Sequence, residues 1–211
     1  MKKEKKDWEQ RSYQFDIRAE EIDGQSILTG HPIVYESEAD MYYYKEIIRR
    51  DALNGTDLTD VRFLVNHDTK RIPLARSRRN TGTSTMFLQA NHDGLDIRVT
   101  LDTENNAEAR SLCSAVKRGD ISGMSFMFSI DSETWEDLES DYPTRYIDKI
   151  GKVVEVSAVT FPAYGDTTIS TRGKEAVDHA REQIEKAKQA SLPASELELE
   201  KLKLQIKLKM T

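Results

Sequence analysis

The sequence has a single cysteine, Cys113, and no apolar run that approaches the roughly 20 residues of a membrane-spanning helix. A single cysteine excludes a disulfide bond within the chain and is typical of proteins from a reducing compartment. Residues 1–7 are almost entirely charged and lead into no apolar signal region. We therefore expect a protein that is made and used in a cytosol and that has no membrane role.

The middle of the chain also lacks a dense basic stripe, and the formal net charge is -6 at pH 7. Nucleic-acid-binding domains usually carry concentrated positive charge, so the composition does not support such a partner. The 211 residues suffice for one domain with a real core plus an extension. Composition divides the chain into a charged leader over residues 1–11, which we expect to be solvated, a strand-rich body over 12–173, and a helical, charged and Leu-rich tail over 174–211.

Alternating apolar and polar residues predict that the body is mainly β. Asp23-Gly24 and Asp93-Gly94 each stand between two such runs, and both dipeptides predict hairpin turns. A helix is predicted over residues 103–117, with Thr103 as its cap and Gly119 at its end. The predicted strands cover residues 13–17, 27–35, 61–68, 84–90, 94–101, 125–130, 133–138, 144–150 and 152–159.

Ser125 begins an alternating run just after the predicted helix has ended at Gly119. Phe126 and Phe128 share the face that we expect in the core, and Ser125 falls on the other face, at the mouth of the strand. Serine is common in turns and edge strands for structural reasons alone. Ser125 is therefore a candidate nucleophile only if a base lies close to it.

Only one of the four histidines is placed where a general base could act. His179 lies in the polar tail, His31 lies inside a hairpin strand, and the turn that contains His92 accounts for that residue. His67 ends the strand predicted over residues 61–68. The structural alternative for His67 is a strand-end histidine that binds neighbouring backbone.

A serine–histidine pair needs a third group that fixes the imidazole tautomer and stabilises its cation. Glu155 stands in the middle of an apolar strand, where an ionised side chain is costly unless it is paired or solvated. Asp68 is the competitor, because it follows His67 directly in the sequence. Adjacent strand or turn residues usually point apart, which favours Glu155 and leaves Asp68 as the alternative.

Two other chemistries fit the sequence less well. The Asn-His-Asp runs at residues 66–68 and 91–93 offer metal ligands, but no third or fourth ligand stands at a recognisable spacing. Cys113 falls inside the predicted helix, away from the glycine turn or helix start that activates a thiol. We predict neither a metal nor a cofactor, and a metal-dependent hydrolase that uses the His/Asp pairs is the competing enzyme.

Four stretches of the sequence form an ordered set of motifs. They are Leu64-Val65-Asn66-His67-Asp68, Pro73-Leu74-Ala75-Arg76, Arg118-Gly119-Asp120-Ile121-Ser122-Gly123-Met124-Ser125-Phe126-Met127-Phe128 and Val154-Glu155-Val156-Ser157-Ala158-Val159-Thr160-Phe161-Pro162-Ala163-Tyr164. Together they resemble the prohead serine proteases of tailed bacteriophages, the HK97-like family. The resemblance covers about residues 12–172 and leaves both ends of the chain outside it.

This family is related in fold to the herpesvirus assembly proteases, so the resemblance implies a closed, mostly antiparallel barrel with a few packed helices. The helical C-terminal extension is predicted from the composition of the tail and lies outside the resemblance. Carried over by motif, Ser125 is the nucleophile, His67 the base and Glu155 the third catalytic residue. The herpesvirus relatives have a second histidine where this chain has the carboxylate. Met127 stands where a glycine usually follows the Ser-Phe pair, which bears on packing beside the nucleophile.

The resemblance implies a serine endopeptidase of the Ser-His-Glu type that works inside the immature phage head, in the host cytoplasm. Its expected partners are the major capsid protein, whose scaffolding part it would cleave, and a second copy of itself, through self-cleavage or as a homodimer. No nucleic acid, membrane or cofactor is expected. The competing function is a catalytically inactive internal scaffold or assembly factor with the same fold.

The tail at residues 174–211 has two competing interpretations. A Leu-rich, charged extension could dock on scaffold or coat helices and carry the enzyme into the shell. It could equally be a dimer-forming or merely solvated helix. The apolar residues within 195–210 fit both helical and strand spacing, so their periodicity does not choose between these roles.

Overall fold

The computed structural model of the chain describes residues 8–13, 17–41, 43–160 and 171–191, the side chains of Tyr13 and of residues 171–180 excepted. Strands and one helix build the body, and a second helix follows it. The strands are β1 (Glu9–Tyr13), β2 (Ile17–Ile22), β3 (Gln25–Val34), β4 (Glu38–Asp40), β5 (Lys45–Ile48), β6 (Arg62–Val65), β7 (Ala75–Arg76), β8 (Met86–Ala90), β9 (Gly94–Leu101), β10 (Gly123–Glu136) and β11 (Thr144–Val159). The helices are α1 (Ala107–Arg118) and α2 (Thr171–Ser191).

The larger sheet is built around one long antiparallel hairpin of β10 and β11. Strand β1 pairs antiparallel with the outer edge of β10. The opposite edge of β11 holds two shorter strands in succession, β5 near its start and β6 near its end, and both run parallel to β11. Strands β4 and β7 extend the sheet beside β5 and β6, respectively.

The smaller sheet is antiparallel, with strand order β2-β3-β9-β8. Its two hairpins turn at Asp23-Gly24 and at residues 91–93, as the sequence predicted. Gly94 is required at the second turn because the backbone of Ile33 approaches it closely. A Cβ atom at position 94 would lie 1.9 Å from the carbonyl oxygen of Ile33, and the φ of Gly94 is 151°.

Buried apolar side chains from both sheets and from α1 form one core cluster. Phe126 and Phe128 are completely buried, as the alternation predicted, and their rings lie 5.0 Å apart. Burying one such ring stabilises the fold by about 2–3 kcal/mol. The alternation of β10 therefore fixes which of its faces enters the core and which face carries Ser125.

Helix α1 packs one apolar stripe, Ala109, Leu112, Cys113 and Val116, into this core. The helix begins later than the sequence indicated, because Asn106 and not Thr103 is its cap: the Asn106 side chain accepts hydrogen bonds from two backbone N–H groups of the first turn. The hydroxyl of Thr103 instead lies 2.9 Å from that of Ser26. Gly119 ends the helix as predicted, in the left-handed conformation with φ of 79°.

The expectation of a closed, mostly antiparallel barrel is wrong. Both sheets are open and the larger one is mixed, since β5 and β6 run parallel to β11. The 16 residues of β11 provide an edge long enough for two short parallel partners. Within the described residues, no strand joins that edge of the sheet to β1 at the other edge, so the sheet does not close into a barrel. Alternation reveals that a segment is a strand, but it reveals neither the partner nor its direction.

Four of the predicted strands are joined into two. Residues 125–130 and 133–138 largely belong to the single strand β10, and residues 144–150 and 152–159 to the single strand β11. Gly151, which separates two of the predicted strands, lies inside β11, where a Cβ atom would lie 2.1 Å from Oδ1 of Asp131. A glycine inside a strand thus marks a close side-chain approach and not a strand end.

The ends of the chain differ from the expectation where the structure describes them. The predicted solvated leader is wrong for residues 9–11, because they belong to β1 and Arg11 is buried. Helix α2 covers all of residues 174–190, the first part of the tail that was predicted to be helical. The strand-ending segment at 161–165 and the Leu-rich segment at 195–210 lie outside the described residues. Neither described helix is long and apolar enough to cross a membrane.

Candidate active site

His67 lies in a tight turn directly after β6 and not at the end of an extended row. Asn66 and His67 both have positive φ angles, 51° and 59°. The Asn66 side chain ties the turn to the end of β11: its Nδ2 donates to Thr160 Oγ1 at 3.0 Å, and its Oδ1 accepts from Thr160 N at 2.9 Å. The turn therefore bends the histidine back over the neighbouring strand β11.

The imidazole of His67 pairs with the carboxylate of Glu155. Its Nδ1 lies 2.7 Å from Oε2 of Glu155, at hydrogen-bond distance. The side chain of Glu155 is 4% exposed and that of His67 is 15% exposed. A carboxylate buried this deeply needs a partner, and Nδ1–H of the histidine provides one. The two residues meet because β6 pairs with β11 over residues 155–158.

Ser157 supports both members of this pair, and the sequence analysis did not assign it a role. Its hydroxyl donates to Oε1 of Glu155 at 2.9 Å and accepts from the backbone N–H of His67 at 3.1 Å. Ser157 is completely buried. Its position two residues after the carboxylate, on the same face of one strand, is the sequence signal that could have identified it.

Asp68, the alternative partner for His67, lies elsewhere. Its carboxylate accepts from the backbone N–H of Lys70 at 3.1 Å and lies 3.4 Å from Nε of Arg71. The side chain is 44% exposed. The hydrogen bond to the imidazole is therefore made by Glu155, and Asp68 stabilises the turn that follows His67.

Ser125 lies on β10, directly opposite Ser157 on β11. Opposite residues of an antiparallel pair project from the same face, with Cβ atoms about 4.5–5.5 Å apart. Ser125 thus shares a sheet face with the residue that supports His67 and Glu155. Unlike a residue at the mouth of a strand, Ser125 is completely buried.

The hydroxyl of Ser125 is bound to strand β1. It donates to the backbone carbonyl of Arg11 at 2.7 Å and accepts from the hydroxyl of Ser12, also at 2.7 Å. Ser12 is the residue opposite Ser125 in the β1–β10 ladder. Because β1 and β11 flank β10 on opposite sides, the hydroxyl is engaged on the side away from His67.

Nε2 of His67 is a buried atom that has no hydrogen-bond partner among the residues that the structure describes. The structure therefore unites two of the three predicted residues, His67 and Glu155, and places Ser125 on the adjacent strand of the same sheet. It does not join Ser125 to His67. The nitrogen that would accept the proton of a serine nucleophile is left unused.

A buried group of ion pairs anchors β1 to the larger sheet. The guanidinium of Arg11 donates two hydrogen bonds to the carboxylate of Glu46 on β5. Nε donates to Oε1, and Nη2 donates to Oε2 at 2.6 Å. Glu9 pairs with Arg145 of β11 at 2.8 Å. Burial raises the pKa of Glu9, but the charges of Arg11 and Arg145 and the hydrogen bonds they donate outweigh burial and lower this pKa to about 2.

The remaining candidate groups lie outside this site. His92 lies in its exposed turn beside Arg50, whose Nη1 is 2.9 Å from the ring Nε2, and His31 pairs with Asp96 at 2.6 Å. Cys113 lies on the buried face of α1. Within residues 8–13, 17–41, 43–160 and 171–191, no group of three or more His, Cys, Asp or Glu side chains is placed to hold a metal ion.

Comparison with known proteins identifies relatives of the chain. A family model described as caudovirus prohead serine protease matches residues 13–182. The bacteriophage T4 capsid assembly protease, gp21, has a similar structure, with 13% sequence identity and a TM-score of 0.45 over 75% of this chain and 100% of that chain. The comparison with curated proteins gives no match.

Proposed function

Because the chain belongs to the caudovirus prohead serine protease family, we propose that it is the endopeptidase that matures the phage head, with Ser125, His67 and Glu155 as its catalytic residues. Family membership supports a protease of capsid maturation. The assignment of the three residues is supported by the pairing of His67 with Glu155 and by the position of Ser125 on the neighbouring strand.

The proposed reaction is acyl transfer. Oγ of Ser125 attacks the carbonyl carbon of the scissile peptide bond while Nε2 of His67 takes the hydroxyl proton. The carbon–nitrogen bond then breaks, and His67 gives that proton to the departing amine. Water attacks the acyl-enzyme with His67 again as the base, which releases a carboxylic acid and restores Ser125.

The observation that carries this proposal is the state of the two imidazole nitrogens of His67. Nδ1 lies 2.7 Å from the Glu155 carboxylate, while the buried Nε2 has no partner in the described part of the chain. A carboxylate on Nδ1 holds the imidazole in the tautomer whose Nε2 can accept a proton, and it stabilises the cation that forms. A histidine with a purely structural role would be expected to use both nitrogens.

The proposed substrates follow from the family. We expect the enzyme to cleave the scaffolding part of the major capsid protein inside the immature head, and to cleave itself. The protease domain would comprise residues 12–173. The tail from residue 174 would take no part in the chemistry.

The proposal is tested by expressing the chain together with the major capsid protein, here called the coat protein, and measuring the intact mass of both products. The wild type should shorten the coat protein, and Ser125→Ala should abolish that shortening. Ser129→Ala is the matched control, because Ser129 is also a buried serine of β10 and its Oγ has no hydrogen-bond partner in the described residues. Shortening that survives in Ser125→Ala and depends on a divalent metal would instead favour the metal-dependent hydrolase.

One observation favours the second candidate, an inactive assembly factor. The hydroxyl of Ser125 is buried and bound to β1, so a substrate has no access to it in this conformation. An inactive scaffold would leave the coat protein at full length with or without the Ser125→Ala substitution. The same mass measurement therefore separates the two functions.

A further inference from the structure

Strand β1 covers the nucleophile-bearing strand along the whole segment that surrounds Ser125. Its five residues form a continuous antiparallel ladder with β10, from Glu9 opposite Phe128 to Tyr13 opposite Met124. Ser125 lies opposite Ser12, one step from the end of this ladder. An extended peptide in this position has the hydrogen-bonding pattern by which proteins commonly add a strand to a free sheet edge.

Strand β1 fills the space around Oγ of Ser125 that a peptide substrate would need. Attack requires the carbonyl carbon of the scissile bond to lie within about 3–3.5 Å of the nucleophilic oxygen. In this structure the backbone carbonyl of Arg11 accepts a hydrogen bond from Oγ of Ser125 at 2.7 Å, and the Ser12 hydroxyl occupies the other side of that oxygen. A substrate and β1 therefore cannot bind at the same time.

Without β1, the remaining strands of the larger sheet keep their pairing, and the buried carboxylate of Glu46 keeps one of its two arginine partners. β1 is an end strand of the larger sheet, and among the residues that the structure describes it pairs only with β10. If β1 leaves, Glu46 still pairs with Arg145 at 3.1 Å, and Arg145 still contacts Glu133. The main losses are one short ladder and the ion pairs of Glu9 and Arg11, and end strands open more readily than central ones.

We propose, on the basis of the function proposed above, that β1 is an autoinhibitory strand, and that an extended substrate peptide pairs with β10 in its place. When β1 leaves, Oγ of Ser125 loses both of its partners. A rotation about the Cα–Cβ bond then turns the hydroxyl towards β11, where His67 offers an unused Nε2. Displacement of one strand thus exposes the nucleophile and frees it for its base.

A reversible cross-link between β1 and β10 tests this proposal in the full-length chain. Gln10 and Met127 are opposite residues of the ladder, and such pairs have the Cα separation that a disulfide bond requires. The test variant is Gln10→Cys with Met127→Cys, in a Cys113→Ala background so that no other thiol reacts. Oxidation should lower cleavage of the coat protein at least about tenfold, because the binding-competent fraction falls, and reduction should restore it.

Two controls isolate the effect of β1. Glu21→Cys with Ser26→Cys places the same bond between opposite residues of β2 and β3, and oxidation of that variant should leave cleavage unchanged. Gln10→Cys alone, capped with a methylthio group, should also stay active, because the cap adds bulk at an exposed position of β1 without tying that strand to β10. Equal cleavage by the oxidised and reduced forms of the test variant would overturn the proposal.

Amide hydrogen exchange separates failure of this proposal from failure of the proposed function. In the test variant, reduction should speed exchange at residues 124–128 at least about tenfold relative to the oxidised form, since local opening of β1 is then allowed. If neither the wild type nor the reduced test variant cleaves the coat protein, the proposed function fails. The exchange rates alone then show whether β1 opens. Equal exchange in both forms would show that β1 does not open.

Discussion

Ser125 and Ser157 lie directly opposite each other on adjacent antiparallel strands, yet their hydroxyls form hydrogen bonds in opposite directions across the sheet. The hydroxyl of Ser157 binds the glutamate and the backbone of the histidine. The hydroxyl of Ser125 binds the backbone of β1. One serine thus organises the base, while the other, the proposed nucleophile, is held away from it.

Ser157→Ala should reduce kcat more than it changes KM. It removes two hydrogen bonds that orient Glu155 and His67, each of which contributes about 0.5–1.5 kcal/mol, so we expect a loss of about tenfold or more. Ser157→Thr keeps the hydroxyl and should recover most of the rate.

Glu155→Gln should lower cleavage by at least about a hundredfold, because the amide cannot stabilise the histidine cation and can favour the wrong tautomer. Asp68→Asn is its matched control, since Asp68 follows His67 in sequence but its carboxylate contacts Lys70 and Arg71 of the following turn. Both variants would be compared by their initial rates of cleavage of a coat-protein fragment. A severe loss in Asp68→Asn with normal rates in Glu155→Gln would contradict the assigned pair.

Acid should loosen the attachment of β1 through Glu9. Its pKa falls from 4.5 to about 2 on folding, so the ionised form is favoured by the folded state. The stabilisation is complete above about pH 4.5 and is lost as the pH falls towards 2; the shift corresponds to about 3 kcal/mol. The free energy of unfolding, measured with urea at several pH values, should decrease less on acidification in Glu9→Gln than in wild type. Glu20→Gln, which removes an exposed carboxylate of β2, is the control.

Gly94→Ala should destabilise the fold by about 2–4 kcal/mol, because the new methyl group would overlap the backbone of Ile33 and not a movable side chain. Gly82→Ala is the matched substitution, since a Cβ atom there meets nothing within 4 Å. Urea unfolding would compare the two variants. Equal stability of both would show that the strand of Ile33 can move aside at little cost.

The parts of the fold that the sequence predicted are those with local causes. Asp23-Gly24 and Asp93-Gly94 have the chemistry of hairpin turns, and Gly119 has that of a helix end, so each acts through its own backbone. The open, mixed sheet was not predicted, because the choice of β5 and β6 as parallel partners depends on contacts between distant segments. The relation to herpesvirus assembly proteases stays a prediction.

In the candidate site, too, features with a local cause could be predicted from the sequence, and features that depend on distant residues could not. Glu155 could be paired with His67 from sequence because an isolated carboxylate in an apolar strand requires a partner. The role of β1 could not be predicted. A segment with charged residues is typical of a solvated leader, and the buried partner of Arg11, Glu46, lies 35 residues further along the chain on another strand. Buried charges whose partners are remote give no local pattern.

The position of β1 in the chain has a consequence for biosynthesis. Ser125 follows Arg11 by 114 residues, so the ribosome releases the covering strand well before it releases the strand that carries the hydroxyl. Translation runs from the amino terminus, and the earlier segment is already available when the later one begins to fold. A newly made chain can therefore pair β1 with β10 as soon as β10 forms, so the hydroxyl of the proposed nucleophile is covered from the time the sheet is built.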